Sequence, residues 1–93
     1  MPKYAKRVDQ NQKEIVAKLR ELGCSVFHLH TVGAGCPDLL CGINGKTFLV
    51  EVKMPDGKFT QAQVEFMLNW KGSEVHRVST IEEVVALIQK IMG

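Results

Sequence analysis

Two carboxylates and an amine, Asp38, Glu51 and Lys53, lie where this sequence can bring them together. Between them stands Asn44-Gly45, the strongest short-range signal for a tight β-hairpin, because both residues tolerate the positive φ of a two-residue type I′ turn. Such a turn sets Ile43 opposite Lys46, and the same register carried outward sets Asp38 opposite Glu51. Side chains alternate along a strand, so Phe48, Val50 and Val52 share an apolar face while Leu49, Glu51 and Lys53 share the other. Two carboxylates about 5 Å apart repel by about 3 kcal/mol at an effective dielectric near 20, and one lysine only partly relieves this. A divalent cation removes the conflict. Mg²⁺ takes hard oxygen ligands, often one or two carboxylates, and fills its octahedron with water and substrate phosphate. A metal beside a lysine would activate water next to a phosphate.

Other candidates have competing uses. Glu14 falls at the edge of the first helix's apolar stripe, where its carboxylate either leans toward a neighbouring strand or stays in solvent, paired with Lys18 four residues on. Gln63 follows Thr60 by three residues and matches a capping box, which is a structural use independent of chemistry. His28 and His30 share a strand face, an arrangement open to a metal but commoner on an exposed strand. The segment Thr31-Val32-Gly33-Ala34-Gly35-Cys36-Pro37 has two glycines that permit a sharp turn or a close approach. It lacks the Gly-Lys-Ser/Thr ending of a phosphate loop. Pro37 keeps Cys36 extended and stiffens the position of Asp38.

The elements that position these residues read as follows. Asp9 is the expected cap of a helix running to Leu22, with Ile15, Val16, Leu19 and Leu22 on its buried stripe and Gly23 at C′. Ser25 to His30 alternates as a short strand, and the hairpin follows. Met54-Pro55-Asp56-Gly57 turns the chain into a helix capped by Thr60, with Val64, Met67 and Leu68 on its inner face and Gly72 at its end. Phe66 and Trp70, four apart on a second flank, suit either core packing or a partner surface. Val75 to Val78 is another strand, and Thr80 with Glu83 opens a last helix. Its residues Val84, Val85, Leu87, Ile88 and Ile91 cover over half the circumference, which demands burial in the core, in a dimer interface, or in both. The order α-β-β-β-α-β-α predicts an α/β fold with a mixed four-stranded sheet flanked by helices.

Length and composition suit one domain over residues 1–93, with a loose basic arm at 1–8. The 45% hydrophobic content is enough for one core, though so small a monomer would be marginally stable and helped by dimerisation. A net charge of +2 is too weak to argue for a nucleic-acid partner by itself, even with Lys3, Lys6 and Arg7 at one end and Lys46, Lys53 and Lys58 around the hairpin. The three cysteines Cys24, Cys36 and Cys41 lack metal-type spacing and read as buried, reduced thiols. No apolar run approaches eighteen residues and no signal-peptide pattern opens the chain, so a cytoplasmic protein without a membrane partner is expected.

Pro37-Asp38 followed by Glu51-Val52-Lys53 resembles the PD-(D/E)xK signature of the restriction-endonuclease-like nucleases, and the order of elements is that of their core. Glu14, the run Gly35-Cys36-Pro37-Asp38-Leu39-Leu40, Glu51-Val52-Lys53 and Thr60 to Gln63 are similar to the VRR-Nuc family, in particular its small stand-alone phage and bacterial members. The likeness extends from about Asp9 to Ile91. It implies a Mg²⁺- or Mn²⁺-dependent endonuclease acting on DNA, without a small-molecule cofactor, working as a homodimer on branched substrates such as Holliday junctions or flaps. It further implies that Asp38, Glu51 and the backbone carbonyl of Val52 hold the metal. Lys53 would orient water or stabilise developing charge, Glu14 would act through the metal's water shell, and Gln63 would be an accessory residue beside Lys53. Two rival readings remain. One is a non-catalytic junction-binding module, against which the acid pair argues because carboxylates repel a polyanion. The other is a structural protein in which Asp38 and Glu51 both pair with Lys53.

Overall fold

The computed structural model describes residues 9–93, and the expected basic arm lies outside them. Its elements are α1 (Gln12–Glu21), β1 (Ser25–His28), β2 (Leu39–Ile43), β3 (Lys46–Val52), α2 (Gln61–Asn69), β4 (Val75–Val78) and α3 (Ile81–Met92). The fold is α/β in the expected order. The strands form one mixed sheet, β1-β2-β3-β4, in which the first three are antiparallel and β4, reached through α2, lies parallel to β3. Asn44 and Gly45 take φ of 51° and 78°, and Ile43 pairs with Lys46 as the tight turn requires.

Alternation divides the sheet into two unlike faces. Val26, Leu39, Cys41, Phe48, Val50, Val52 and Val78 point to one side and are buried against Ile15, Val16 and Leu19 of α1 and Val84, Leu87 and Ile88 of α3. Each such side chain contributes about 1.5–3 kcal/mol by leaving water, so this layer holds most of the hydrophobic stabilisation. The apolar face of α3 is thus accommodated in the core. Across the other side runs an in-register row, Phe27, Leu40, Leu49 and Val75. Phe27 there is 72% exposed.

Several boundaries differ from expectation. α1 starts after Asn11 rather than Asp9, because the Asp9 carboxylate accepts the Met54 N–H at 3.0 Å instead of capping. Asn11 makes no capping bond either, since its amide donates to the carbonyls of Lys53 and Ser79. Gly23 does end the helix as anticipated: at φ 105° its N–H reaches Arg20 and that of Cys24 reaches Leu19, the double bond of a Schellman motif. β1 stops at His28, and His30 falls in the turn closed by Val32 N–H on the Leu29 carbonyl. Cys24 and Cys41 are buried, whereas Cys36 is only half-buried, and none of the three is in a disulfide.

α2 departs most. Val64 is 39% and Leu68 79% exposed, so they do not form an inner face, and Gln63 is the helix's buried residue. The side facing the protein is the stripe Gln63, Phe66 and Met67, offset by one position from the apolar pattern and centred on a polar group. The helix also ends at Asn69, not at Gly72. Gly72 lies beside the Trp70 indole instead: a Cβ there would be 2.7 Å from the Nε1, so a larger residue would make the half-exposed ring shift.

Candidate active site

Asp38 and Glu51 both lie at the open end of the hairpin. Asp38 directly precedes β2, and its main-chain carbonyl accepts from Leu29 N–H at 2.7 Å, which fixes it against β1. Its Oδ2 accepts the Val52 N–H at 2.8 Å, so a carboxylate takes the place of a strand carbonyl where the ladder runs out. Asp38 and Glu51 are 3% and 2% exposed. Glu51 alternates with the core residues Val50 and Val52 and therefore points to the opposite face, where Lys53 also lies. The Lys53 Nζ is 3.9 Å from Glu51 Oε2, and the Lys53 N–H still bonds to Val78, so β4 anchors the lysine's backbone.

Gln63 forms the expected capping box and reaches Glu51 with the same side chain. Its Oε1 accepts the Thr60 N–H at 2.9 Å while its own N–H donates to Thr60 Oγ1, the reciprocal capping box. The Nε2 at the other end of the same amide donates to Glu51 Oε2 at 2.6 Å. A buried carboxylate needs such donors. The capping box thus aims the amide that meets Glu51. Gly35 permits the approach: at φ 77°, a Cβ on it would fall on the Ala62 carbonyl oxygen.

Two candidates are not gathered into this group. Glu14 is exposed on α1, and Lys18 pairs with Glu21 rather than with it. His28 and His30 stand with rings 5.8 Å apart beside Gln12, on the α1 side of β1. Among the described residues no group of three or more His, Cys, Asp or Glu side chains is placed to hold a metal ion. The Asp38 and Glu51 carboxylates and the Val52 carbonyl would supply a smaller, all-oxygen set. That set suits a hard divalent cation, which commonly takes only one or two carboxylates from protein and leaves its other positions to water and phosphate.

Residues that sequence reasoning passed over hold the site's borders. Arg77 is the register partner of Glu51 on β4. Its guanidinium donates to the carbonyls of Met54 and Gly57 and to Ser79 Oγ, pinning the turn that follows Lys53. Asn11 and Asp9 tie the same turn to the start of α1. No local pattern reveals these contacts, most of which join residues twenty or more positions apart in the chain. No helix among the described residues is long and apolar enough to cross a membrane. No protein-family model matches the chain, and no curated protein matches it.

Proposed function

We propose that the protein is a Mg²⁺- or Mn²⁺-dependent deoxyribonuclease of the VRR-Nuc type, with Asp38, Glu51 and the Val52 carbonyl as its metal-holding oxygens. The observation that carries this reading is the burial of two carboxylates, Asp38 and Glu51, at one hairpin end with Lys53 beside them. Bound there, the cation would supply a lowered water pKa and polarisation of the scissile phosphate. The chain's own residues have the remaining tasks. Lys53 places a positive charge where the phosphate gains negative charge in the transition state. Gln63 holds Glu51 in orientation through its Nε2, and the Val52 N–H does the same for Asp38. Glu14 acts at most through solvent, since it is exposed.

The substrate is branched DNA, such as a flap or a four-way junction, and the working form is a cytoplasmic homodimer. The apolar row on the outer sheet face, with Phe27 at its edge, supports a second copy as its cover. Labelled linear, flap, splayed and four-way DNAs incubated with and without Mg²⁺ test the proposal. Cleavage that needs the metal and is lost in Asp38→Ala, Glu51→Ala and Lys53→Ala is the expected result. Metal-independent binding without any cut would leave a junction-binding module instead, and full activity in folded Lys53→Ala would remove the catalytic assignment.

A further inference from the structure

α2 ends in an aromatic pair that the core does not use. Phe66 and Trp70, one helical turn apart, stack with ring centroids 5.3 Å apart and planes 16° from parallel. Trp70 leaves the helix in an extended conformation and stays 45% exposed. Phe66 stacks on its indole, and the backbone of Gly72 passes close to the Nε1 edge. With Ala34, Ala62, Glu65 and Asn69, the two rings line an open hollow of about 430 Å³.

Both walls of this hollow belong to elements that build the candidate active site. Ala34 is at φ 56° in the turn between Gly33 and Gly35, three residues before Pro37-Asp38. Ala62 is the residue against which Gly35 lies, and Gln63, next in the chain, is the one that reaches Glu51. The hollow is thus built on the same loop and the same helix that position Asp38 and Gln63.

We propose that the Phe66–Trp70 shelf stacks an unpaired nucleobase of the DNA strand being cut. The inference rests on the nuclease reading above and adds the class of substrate: a strand single-stranded next to its scissile phosphate. Aromatic side chains accept any base by its π-face, without regard to sequence. A base inside a duplex is already stacked and must first be taken out, which disfavours a fully paired substrate. The surroundings select the base rather than the backbone. α2 carries no lysine or arginine, and the rim offers the Glu65 carboxylate, which repels phosphate but accepts from base amino groups, and the Asn69 side chain, whose Oδ1 accepts likewise while its Nδ2 donates to the Glu65 carbonyl.

Trp70 is the chain's single tryptophan, so intrinsic fluorescence reports directly on the shelf. The full-length protein is titrated, with Ca²⁺ replacing Mg²⁺, against a forked DNA and against a blunt duplex of the same sequence, and cleavage of both is scored separately in Mg²⁺. Forked DNA should quench Trp70 and the duplex should not. Trp70→Ala should raise KM for forked DNA about tenfold, and Trp70→Phe should recover most of that loss. Equal quenching by fork and duplex, or cutting of forked DNA by Trp70→Ala at the wild-type KM, overturns the shelf while leaving the nuclease reading intact. Failure to cut any DNA while the fork still quenches Trp70 removes the nuclease reading and keeps the stacking surface.

Discussion

Alanine at Gly33 and at Gly35 should cost very different amounts, although the two positions look alike in sequence and share a backbone conformation. Their φ angles are 79° and 77°, so alanine at either enters the left-handed region at about 1–2 kcal/mol, less a few tenths recovered from the stiffer unfolded chain. A Cβ at Gly33 meets nothing within 4 Å, and Gly33→Ala should lose only that, about 1 kcal/mol. At Gly35 the Cβ falls on the Ala62 carbonyl oxygen and lies 3.0 Å from the Gln63 N, both main-chain atoms of α2's first turn. The helix must shift. Overpacking of this kind costs about 1–3 kcal/mol, and drawing Gln63 away from Glu51 leaves a buried carboxylate short of a donor at about 1–3 kcal/mol more. Gly35→Ala should therefore lose about 3–7 kcal/mol, with a fall in Tm several times that of Gly33→Ala, for which about 4–8 °C is expected. Urea titrations followed by far-UV circular dichroism and by Trp70 fluorescence measure both, and comparable m-values make the midpoints comparable. Equal losses in the two variants would show that the loop does not bear on α2, and the positioning of Gln63 derived from it would be wrong.

Three further outcomes follow from single groups. Gln63→Ala removes the cap acceptor for Thr60 N–H together with the donor to Glu51, and should cost about 2–3 kcal/mol in chemical denaturation, against about 1 kcal/mol for Thr60→Ala, which loses only the reciprocal bond. Burial lowers the pKa of His76 from its ordinary 6.5, with Lys90 adding to the effect and Glu74 opposing it. The unfolded chain then binds this proton more readily than the folded one, so the contribution is present above pH 6.5 and lost as pH falls through the lower folded value. Stability measured across pH 7 to 5 should decline on this account, and the decline should be shallower in His76→Phe. Burial also pushes the Cys41 thiol up to about 12, with Cys24 beside it adding to the rise, and Cys24 itself is raised by burial. Iodoacetamide at pH 8 should leave both unmodified in the native protein and label both in guanidinium, as mass spectrometry would read.

The parts of this molecule legible in its sequence are those decided by local chemistry. Asn44-Gly45 specifies a turn whose register then follows for every residue of the hairpin, which is how Asp38 and Glu51 can be paired from their numbers. Thr60 with Gln63 and Thr80 with Glu83 mark helix starts because the capping bonds span three residues. Legibility fails where a side chain is claimed by something distant in the chain. Asp9 has the composition of a cap, but its carboxylate is taken by Met54. Val64 and Leu68 have the spacing of an inner face, but a glycine turn and a polar contact to Glu51 decide how α2 is rotated. Arg77 is invisible for the same reason, since its neighbours at Met54 and Gly57 are reached only through the parallel crossover.

The division of labour between the two sheet faces gives the hairpin's open end its meaning. The α1 and α3 side buries a large apolar cluster to which position 51 does not contribute. On the opposite side Leu40 and Leu49 continue a greasy row, and stability alone would extend it. Instead the row gives way to a carboxylate 2% exposed, held by an amide at 2.6 Å and an ammonium at 3.9 Å. Burying charges this way is often no better than neutral for stability against apolar residues of similar size. Three separate features serve the arrangement: Gly35 admits α2, the capping box aims Gln63, and Asp38 is locked to Val52. Their common result is two buried, hydrogen-bonded carboxylates with a lysine beside Glu51, an arrangement that packing alone does not require and that the proposed cation and phosphate would use.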